Sequence, residues 1–281
     1  MGDAFEIDAN ALPVPADAEA AEHGMQDFLE SLDAAREDAL DDVRAAQEFA
    51  ESGDGKRLLE GVFGCSPFLT QVLLREPAWL GRLASMGPDA LTREIIDETR
   101  GPTAAISDEA ALMKALRVAK RRLALTAAMA DIAGVWPLYR VTEALSDFAD
   151  AAAGAAASFV IRRAAERGAC KLKHPDDPQR DSGFIVIGMG KLGARELNYS
   201  SDIDLICLYD TDVIDTDDMD GLQKHMIRMT RTLAKILDER TGDGYVFRVD
   251  LRLRPDPGST PLAISVLAAE TYYESLGQNW E

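Results

Sequence analysis

One stretch decides how this chain folds: Gly188-Met189-Gly190-Lys191-Leu192-Gly193-Ala194-Arg195-Glu196-Leu197-Asn198-Tyr199-Ser200-Ser201-Asp202-Ile203-Asp204-Leu205-Ile206. Its glycines predict a tight turn, and Asp202 and Asp204 stand two residues apart in a run with the composition of a β-strand. Because residues i and i+2 of a strand point to one face, we expect the two carboxylates to project together. Two close carboxylates are stable mainly when a hard cation such as Mg²⁺ shares them. The stretch therefore predicts a site for a triphosphate with divalent metal.

A later strand, predicted over residues 245–254, adds charge to this site. Its residues alternate, with Phe247, Val249, Leu251 and Leu253 on one face and Arg248, Asp250, Arg252 and Arg254 on the other. A face of one acid and three arginines is unusual unless it borders a ligand or an ion-pair network. We expect Asp250 to be the third carboxylate of a two-metal centre, with Arg252 and Arg254 on phosphate oxygens. A structural ladder of Asp and Arg on an exposed sheet face is the alternative.

The glycine turn supplies candidate phosphate ligands. The backbone N–H groups of Gly190 and Lys191, ahead of a helical turn predicted at 194–197, can cradle a phosphate, and the Lys191 amine adds positive charge. Ser200 and Ser201 either donate hydrogen bonds to phosphate oxygens or only shape the turn. The predicted phosphate-binding set is Gly190, Lys191, Gly193, Ser200, Ser201, Arg252 and Arg254.

The same glycines also match a dinucleotide-binding fingerprint, Gly188-x-Gly190-x-x-Gly193, with Asp210 seventeen residues past the last glycine. Only residues 194–201 separate that glycine from the next strand, whereas a parallel crossover needs a dozen or more residues. The spacing also fails the P-loop pattern, because no Gly-Lys-Ser/Thr follows at the required interval. We therefore expect neither nucleotide-binding fold.

Charge is distributed unevenly along the 281 residues. The formal net charge is −19, and residues 1–54 hold sixteen acids and two bases. A solvated helix face explains such acidity more simply than a docking surface. An acidic chain repels phosphate backbones, which argues against extended nucleic acid as a partner.

Other features bound the class of protein. No apolar run reaches the eighteen or so residues that a membrane span needs, and the start lacks the pattern of a signal peptide. We therefore expect a cytoplasmic protein with no membrane partner. The three cysteines and three histidines are scattered, so no Cys/His metal site is predicted.

The predicted organisation is α+β: a disordered lead-in over residues 1–20, a helical domain over 21–168 and a mixed domain over 169–281. Ser107 or Asp108 can cap a helix through 113–133, and an alanine-rich helix is predicted over 137–167. The mixed domain should contain strands at 184–188 and 202–209 and an amphipathic helix at 222–237.

Five basic residues concentrate in nine positions of the capped helix: Lys114, Arg117, Lys120, Arg121 and Arg122. They form either a solvated face with local ion pairs, or a surface on which Arg117 and Arg121 face an anionic ligand or the acidic N-terminal region.

The glycine turn, Asp-x-Asp and distal aspartate resemble the pattern of polymerase-β-like nucleotidyltransferases. More specifically, residues 188–206, then Val249-Asp250-Leu251-Arg252-Leu253-Arg254-Pro255 and a closing Gly277-Gln278-x-Trp280-Glu281, closely resemble the bifunctional glutamine synthetase adenylyltransferase/adenylyl-removing enzymes. Gly64-x-Ser66-Pro67-Phe68-Leu69 resembles the helical lead-in of that family.

The resemblance implies an all-helical region followed by a polymerase-β-like nucleotidyltransferase domain with a small mixed sheet. It implies catalytic and metal-binding roles for Asp202, Asp204 and Asp250 with Mg²⁺, and partners among ATP or ADP, phosphate, glutamine synthetase and a PII-type signal protein. The motif sequences Gly188-Met189-Gly190-Lys191 and Asn198-Tyr199-Ser200-Ser201 are most similar to those of the half that removes AMP from glutamine synthetase by phosphorolysis. Transfer of AMP from ATP, another small-substrate nucleotidyltransferase and a non-catalytic interaction module are the alternatives. The chain is also expected to be a truncated form of such an enzyme.

Overall fold

The computed structural model describes residues 5–34 and 39–277. Its contacts divide the chain into two compact units that do not follow chain order. The first contains the residues up to 95 and residues 121–145, and the second contains residues 96–120 and those from 146 onwards. The domain boundaries at 20/21 and 168/169 stay predictions.

Helices dominate the part of the chain before the sheet. They are α1 (Ala18–Asp33), α2 (Leu40–Glu51), α3 (Gly53–Cys65), α4 (Pro67–Arg75), α5 (Pro77–Met86), α6 (Pro88–Glu98), a π-helical turn (Thr99–Thr103), α7 (Glu109–Ile132) and α8 (Leu138–Glu166). The remaining elements are β1 (Phe184–Met189), α9 (Gly190–Gly193), β2 (Ile203–Tyr209), α10 (Leu222–Asp238), β3 (Val249–Asp250), β4 (Ala263–Ser265) and α11 (Val266–Ser275).

Local sequence sets the ends of the first helices. The side chains of Asp17, Ser52 and Ser66 accept hydrogen bonds from the first turns of α1, α3 and α4, as N-cap residues do. Pro67 and Pro77 occupy first-turn positions, where a missing N–H costs no hydrogen bond.

The N-terminal segment differs from the disordered lead-in predicted for residues 1–20. The Phe5 ring lies 5.8 Å from the Phe49 ring, and the Asp8 N–H donates to the Ala133 carbonyl at 2.9 Å. Helix α1 already begins at Ala18. Two aromatic side chains and one backbone bond thus give part of this segment defined contacts.

The two long helices match their predictions. Asp108 caps α7, because its side chain accepts a hydrogen bond from the Ala111 N–H at 2.8 Å. Helix α8 is long and apolar enough to cross a membrane by length and composition, contrary to the prediction that no such segment exists. However, 83% of its most apolar window is buried inside the protein, as in a core helix.

The basic residues of α7 form neither of the two predicted surfaces. Within the second unit, Arg117 is 1% exposed and donates to the backbone carbonyls of Met113, Ile236, Gly244 and Glu239. Within the first unit, Arg121 and Arg122 bind the Glu76 carboxylate at 2.5 and 2.6 Å. Arg117 therefore stabilises the second unit, and Arg121 and Arg122 stabilise the first.

The sheet is small and mixed, as predicted. Strand β2 pairs antiparallel with β1, and on its other edge parallel with β3 and β4. The antiparallel β1–β2 pair confirms that residues 194–201 make no parallel crossover. Helix α10 packs on one face, where the buried Thr230 side chain lies beside Cys207 of β2.

The third predicted strand is wrong in length, since only Val249–Asp250 of residues 245–254 is paired. The Asp250 side chain accepts a hydrogen bond from the Arg252 N–H at 2.8 Å and so turns the chain away from the sheet. This side chain-to-backbone bond ends the alternation after Asp250. The predicted closing motif begins at Gly277, and its remaining residues lie outside the described part of the chain.

Candidate functional site

The glycine turn is built against Asp204. Gly190 has φ +54°, and a Cβ added there would lie 2.6 Å from Asp204 Oδ2. A Cβ at Gly193 would lie 2.7 Å from the Gly188 carbonyl oxygen. Glycine is therefore required twice, since the turn closes on itself and on the carboxylate. The helical turn occupies 190–193 rather than the predicted 194–197.

Three distant contacts fix the loop between the turn and β2. Arg195, at φ +59°, pairs with Asp147 at 2.6 Å. The Leu197 N–H donates to the Ser146 hydroxyl at 3.2 Å. Arg248 donates to the Ser200 carbonyl at 2.6 Å. These contacts therefore fix the backbone that precedes Asp202 and Asp204.

Asn198 organises the end of this loop. Its side-chain oxygen accepts hydrogen bonds from the Ser200 N–H at 3.3 Å and from the Ser201 hydroxyl at 2.8 Å. Ser201 thus shapes the turn, which was one of its two predicted roles. The exposed Ser200 hydroxyl has no partner among the described residues.

The three predicted carboxylates come together at the adjoining ends of two strands. Asp204 pairs in register with Met189 of β1 and with Asp250 of β3, and Asp202 precedes β2. Burial raises the pKa of Asp204 above its ordinary value, and the negative charges of Asp202 and Asp250 raise it further. The carboxylates are therefore close enough to repel one another.

Asp250 is held by Arg252. The Arg252 guanidinium donates to both Asp250 carboxylate oxygens at 2.5 to 3.0 Å, and these bonds lower the pKa of Asp250. Among residues 5–34 and 39–277, no group of three or more His, Cys, Asp or Glu side chains is arranged to hold a metal ion. The predicted three-carboxylate metal centre is thus not preformed, because a guanidinium takes up one carboxylate.

The donor chemistry nevertheless fits a hard cation. Asp202 and Asp204 offer carboxylate oxygens, and the repulsion acting on Asp204 is the kind that a bound cation relieves. Asp250 could join them if Arg252 moved, since the arginine side chain is 82% exposed. Two carboxylates are therefore available to bind a cation, and the availability of the third depends on Arg252.

The two remaining basic residues differ in availability. The Lys191 side chain is exposed and has no ion-pair partner in the described part of the chain. The Arg254 guanidinium donates to the backbone carbonyls of Leu251 and Pro257 at 2.6 and 2.8 Å. Arg254 therefore braces its own loop, and its role as a phosphate clamp stays a prediction.

The carboxylates occupy the sheet face that lies away from α8 and α10. On that face Ile185 and Ile187 are 37% and 38% exposed. The opposite face, which carries Val186 and Leu205, borders an open hollow of about 150 Å³ against α8. The candidate site is thus reached from the open side of the sheet.

Comparison with known proteins identifies the family of the chain. Residues 56–281 match the family model described as glutamate-ammonia ligase adenylyltransferase. Proteins named bifunctional glutamine synthetase adenylyltransferase/adenylyl-removing enzyme are similar to the chain. That of Brucella suis is 46% identical over 90% of the chain, and that of Mesorhizobium japonicum is 45% identical over 91%. The chain spans about a quarter of these relatives, 26% of each.

Proposed function

Because the chain belongs to the glutamate-ammonia ligase adenylyltransferase family, we propose that it contains a polymerase-β-like nucleotidyltransferase site that removes AMP from adenylylated glutamine synthetase. The proposal places this site in residues 169–281. Its substrates are inorganic phosphate and the AMP-bearing tyrosine, and its nucleotide product is ADP. A PII-type regulator stays a prediction.

One observation carries the proposal: Asp202, Asp204 and Asp250 converge beside a glycine turn that closes on Asp204. Such clustering of like charges costs stability unless a ligand or a cation uses it. Nucleotidyl transfer uses carboxylates and cations to hold phosphate groups, so the arrangement suits that chemistry.

Mg²⁺ is the proposed cation, held by Asp202 and Asp204 and by Asp250 once Arg252 has moved. When bound, it supplies positive charge to the entering and leaving oxygens. The freed Arg252 guanidinium and the exposed Lys191 amine are then available for phosphate oxygens. Arg252 thus exchanges a carboxylate partner for a phosphate partner.

The reaction balances without a covalent enzyme intermediate. A phosphate oxygen attacks the phosphorus of AMP, and the bond from that phosphorus to the tyrosine oxygen breaks. ADP leaves, and the tyrosine oxygen takes the proton that the attacking hydrogen phosphate carried. In the reverse direction, a carboxylate such as Asp250 could accept the tyrosine proton.

Two parallel incubations test the direction. The purified chain with Mg²⁺ is mixed either with phosphate and adenylylated synthetase, or with ATP and unmodified synthetase. We expect ADP in the first and no pyrophosphate in the second. Pyrophosphate alone would show that the site transfers AMP from ATP instead, which is the adenylyltransferase activity for which the relatives are also named.

A binding measurement tests the site apart from turnover. Calorimetry should detect Mg²⁺-dependent ADP binding that Asp202→Asn and Asp204→Asn each remove. Asp212→Asn is a matched control, because Asp212 is an exposed carboxylate beyond the end of β2. Equal ADP binding by wild type and both site variants would instead favour a non-catalytic interaction module.

A further inference from the structure

A second charged feature lies on the other side of the sheet, in the helical layer. Helix α10 carries Lys224, Arg228, Arg231 and Lys235, and its only acid is the last residue, Asp238. This composition is unusual in a chain with 49 acids and 30 bases. These four basic residues, here called the basic stripe, therefore form a positively charged region in an otherwise acidic protein.

The end of α8 and the residue that follows it extend the basic stripe into a groove. Arg163 and Arg167 line a shallow, open hollow of about 30 Å³ together with His225, Arg228 and Thr232. Val160, Ala164 and Met229 supply apolar contacts in the same hollow. A second hollow on α10 shares Arg228 and is lined by Lys224 and Arg231. We call these two hollows the α8–α10 groove.

Acids compensate only part of this charge. Lys235 pairs with Glu109 at 2.7 Å and with Glu239 at 3.8 Å. Glu166 pairs with Arg163 at 3.7 Å, and Asp218 hydrogen-bonds His225 at 3.1 Å. Arg167 and Arg228 have no carboxylate partner among the described residues. Unpaired like charges around one hollow repel each other, and a bound anion relieves that repulsion.

We propose that the α8–α10 groove binds a small polyanion through Arg167 and Arg228. The ligand carries phosphate or carboxylate groups, and the apolar contacts accommodate a short carbon portion. Guanidinium groups suit both kinds of anion, because their paired N–H donors match two oxygens at once.

This groove is separate from the candidate nucleotidyltransferase site. Asp204 and Cys207 lie three residues apart on β2, so their side chains point to opposite faces. Cys207 faces α10, where its side chain lies beside that of Thr230. A ligand in the groove therefore does not touch the carboxylates, and the proposal is independent of the reaction proposed above.

Calorimetry with two probes, inorganic pyrophosphate and citrate, tests the groove in the Asp204→Asn background, which weakens binding at the other site. The double variant Arg167→Gln/Arg228→Gln should lower the affinity for the bound probe at least about tenfold. Arg57→Gln/Arg180→Gln removes the same net charge from arginines that already pair with aspartates, and should change the affinity less than about twofold.

The outcomes separate the possible ligands. Binding of pyrophosphate alone assigns a phosphate-bearing ligand, and binding of citrate as well assigns general polyanion chemistry. The proposal is wrong if neither probe binds, or if both double variants lose affinity equally. Unchanged thermal melting of the groove variant excludes misfolding as the cause of lost affinity.

Discussion

Replacing Gly190 tests whether the position of Asp204 governs the site. Gly190 has φ +54°, and an added Cβ would lie 2.6 Å from Asp204 Oδ2. An ordinary contact begins near 3.4 Å, so the carboxylate oxygen must move by about 0.8 Å in Gly190→Ala. Ligand-holding groups must stay within about 0.5 Å of their working positions. We therefore expect Mg²⁺-dependent ADP affinity to fall by roughly tenfold or more.

The stability cost of the same substitution should be small. Alanine in a left-handed conformation costs about 1 kcal/mol, which lowers the melting temperature by roughly 2–4 °C. Gly168→Ala is the matched control, because Gly168 has φ +73° and an added Cβ would meet no atom within 4 Å. It should melt like Gly190→Ala and bind ADP like wild type.

Gly190→Asn separates the two effects further. Asparagine tolerates the left-handed conformation, so part of the melting temperature should return, whereas its Cβ still displaces Asp204. Calorimetry and thermal melting of the three variants give the comparison. If Gly190→Ala and Gly190→Asn both bind Mg²⁺ and ADP as wild type does, the close approach to Asp204 has no functional meaning.

Four further substitutions test the charges of the fold. The Lys120 ammonium is buried without a hydrogen-bond partner, 4.1 Å from the centre of the Phe247 ring, and burial lowers its pKa from 10.5 to about 8. Lys120→Met should therefore raise the free energy of unfolding by about 1–3 kcal/mol near pH 7, with a smaller gain above pH 8, where folded Lys120 loses its proton first. Asp204→Asn should raise the melting temperature at neutral pH because the pKa of Asp204 is raised, while Asp250→Asn should lower it because the pKa of Asp250 is depressed. Glu76→Gln should cost about 2–4 kcal/mol in urea unfolding, because it leaves two partly buried arginines without their carboxylate.

Each of these predictions has an opposing outcome. Lys114→Met, at an exposed position of the same helix, should show no pH-dependent gain, and an equal gain would disprove the role of burial. The effect of Asp204→Asn should shrink as the pH falls through the raised folded pKa towards 3.8, because Asp204 is then protonated in both states. The effect of Asp250→Asn should persist down to about pH 3.8 and shrink only below it, as the pH falls through the depressed folded pKa. Shifts of the same sign in both would contradict the opposite pKa directions. A neutral Glu76→Gln would show that its arginines find other partners.

Sequence periodicity was sufficient for the long elements. The 4-3-4-3 spacing from Leu222 to Leu237 predicted α10, and all of those apolar residues are buried. Strand β2 was predicted within one residue, because a short apolar run between turn residues is typical of a buried strand. Chain length between the glycine turn and β2 correctly excluded a parallel crossover.

Long-range contacts were beyond sequence reasoning. Arg248 tethers the Ser200 carbonyl across 48 residues, and Arg195 pairs with Asp147 across the same separation. No spacing in the sequence links these residues. Asn198 was a missed local signal, since an asparagine two and three residues before serines is typical of a side-chain-capped turn.

Arg252 shows what residue spacing alone could not predict about the three aspartates. A strand through residue 254 would have pointed Asp250 and Arg252 to the same face as neighbours along the chain. Instead, the Arg252 N–H and guanidinium both return to the Asp250 carboxylate, so the strand ends and one acid receives an internal cation. The positive charge of Arg252 also interacts with Asp202 and Asp204, and it therefore serves all three carboxylates. In the proposed reaction, an incoming divalent cation must compete with that guanidinium for Asp250. If Arg252 is released towards a phosphate, this movement couples metal binding to substrate binding.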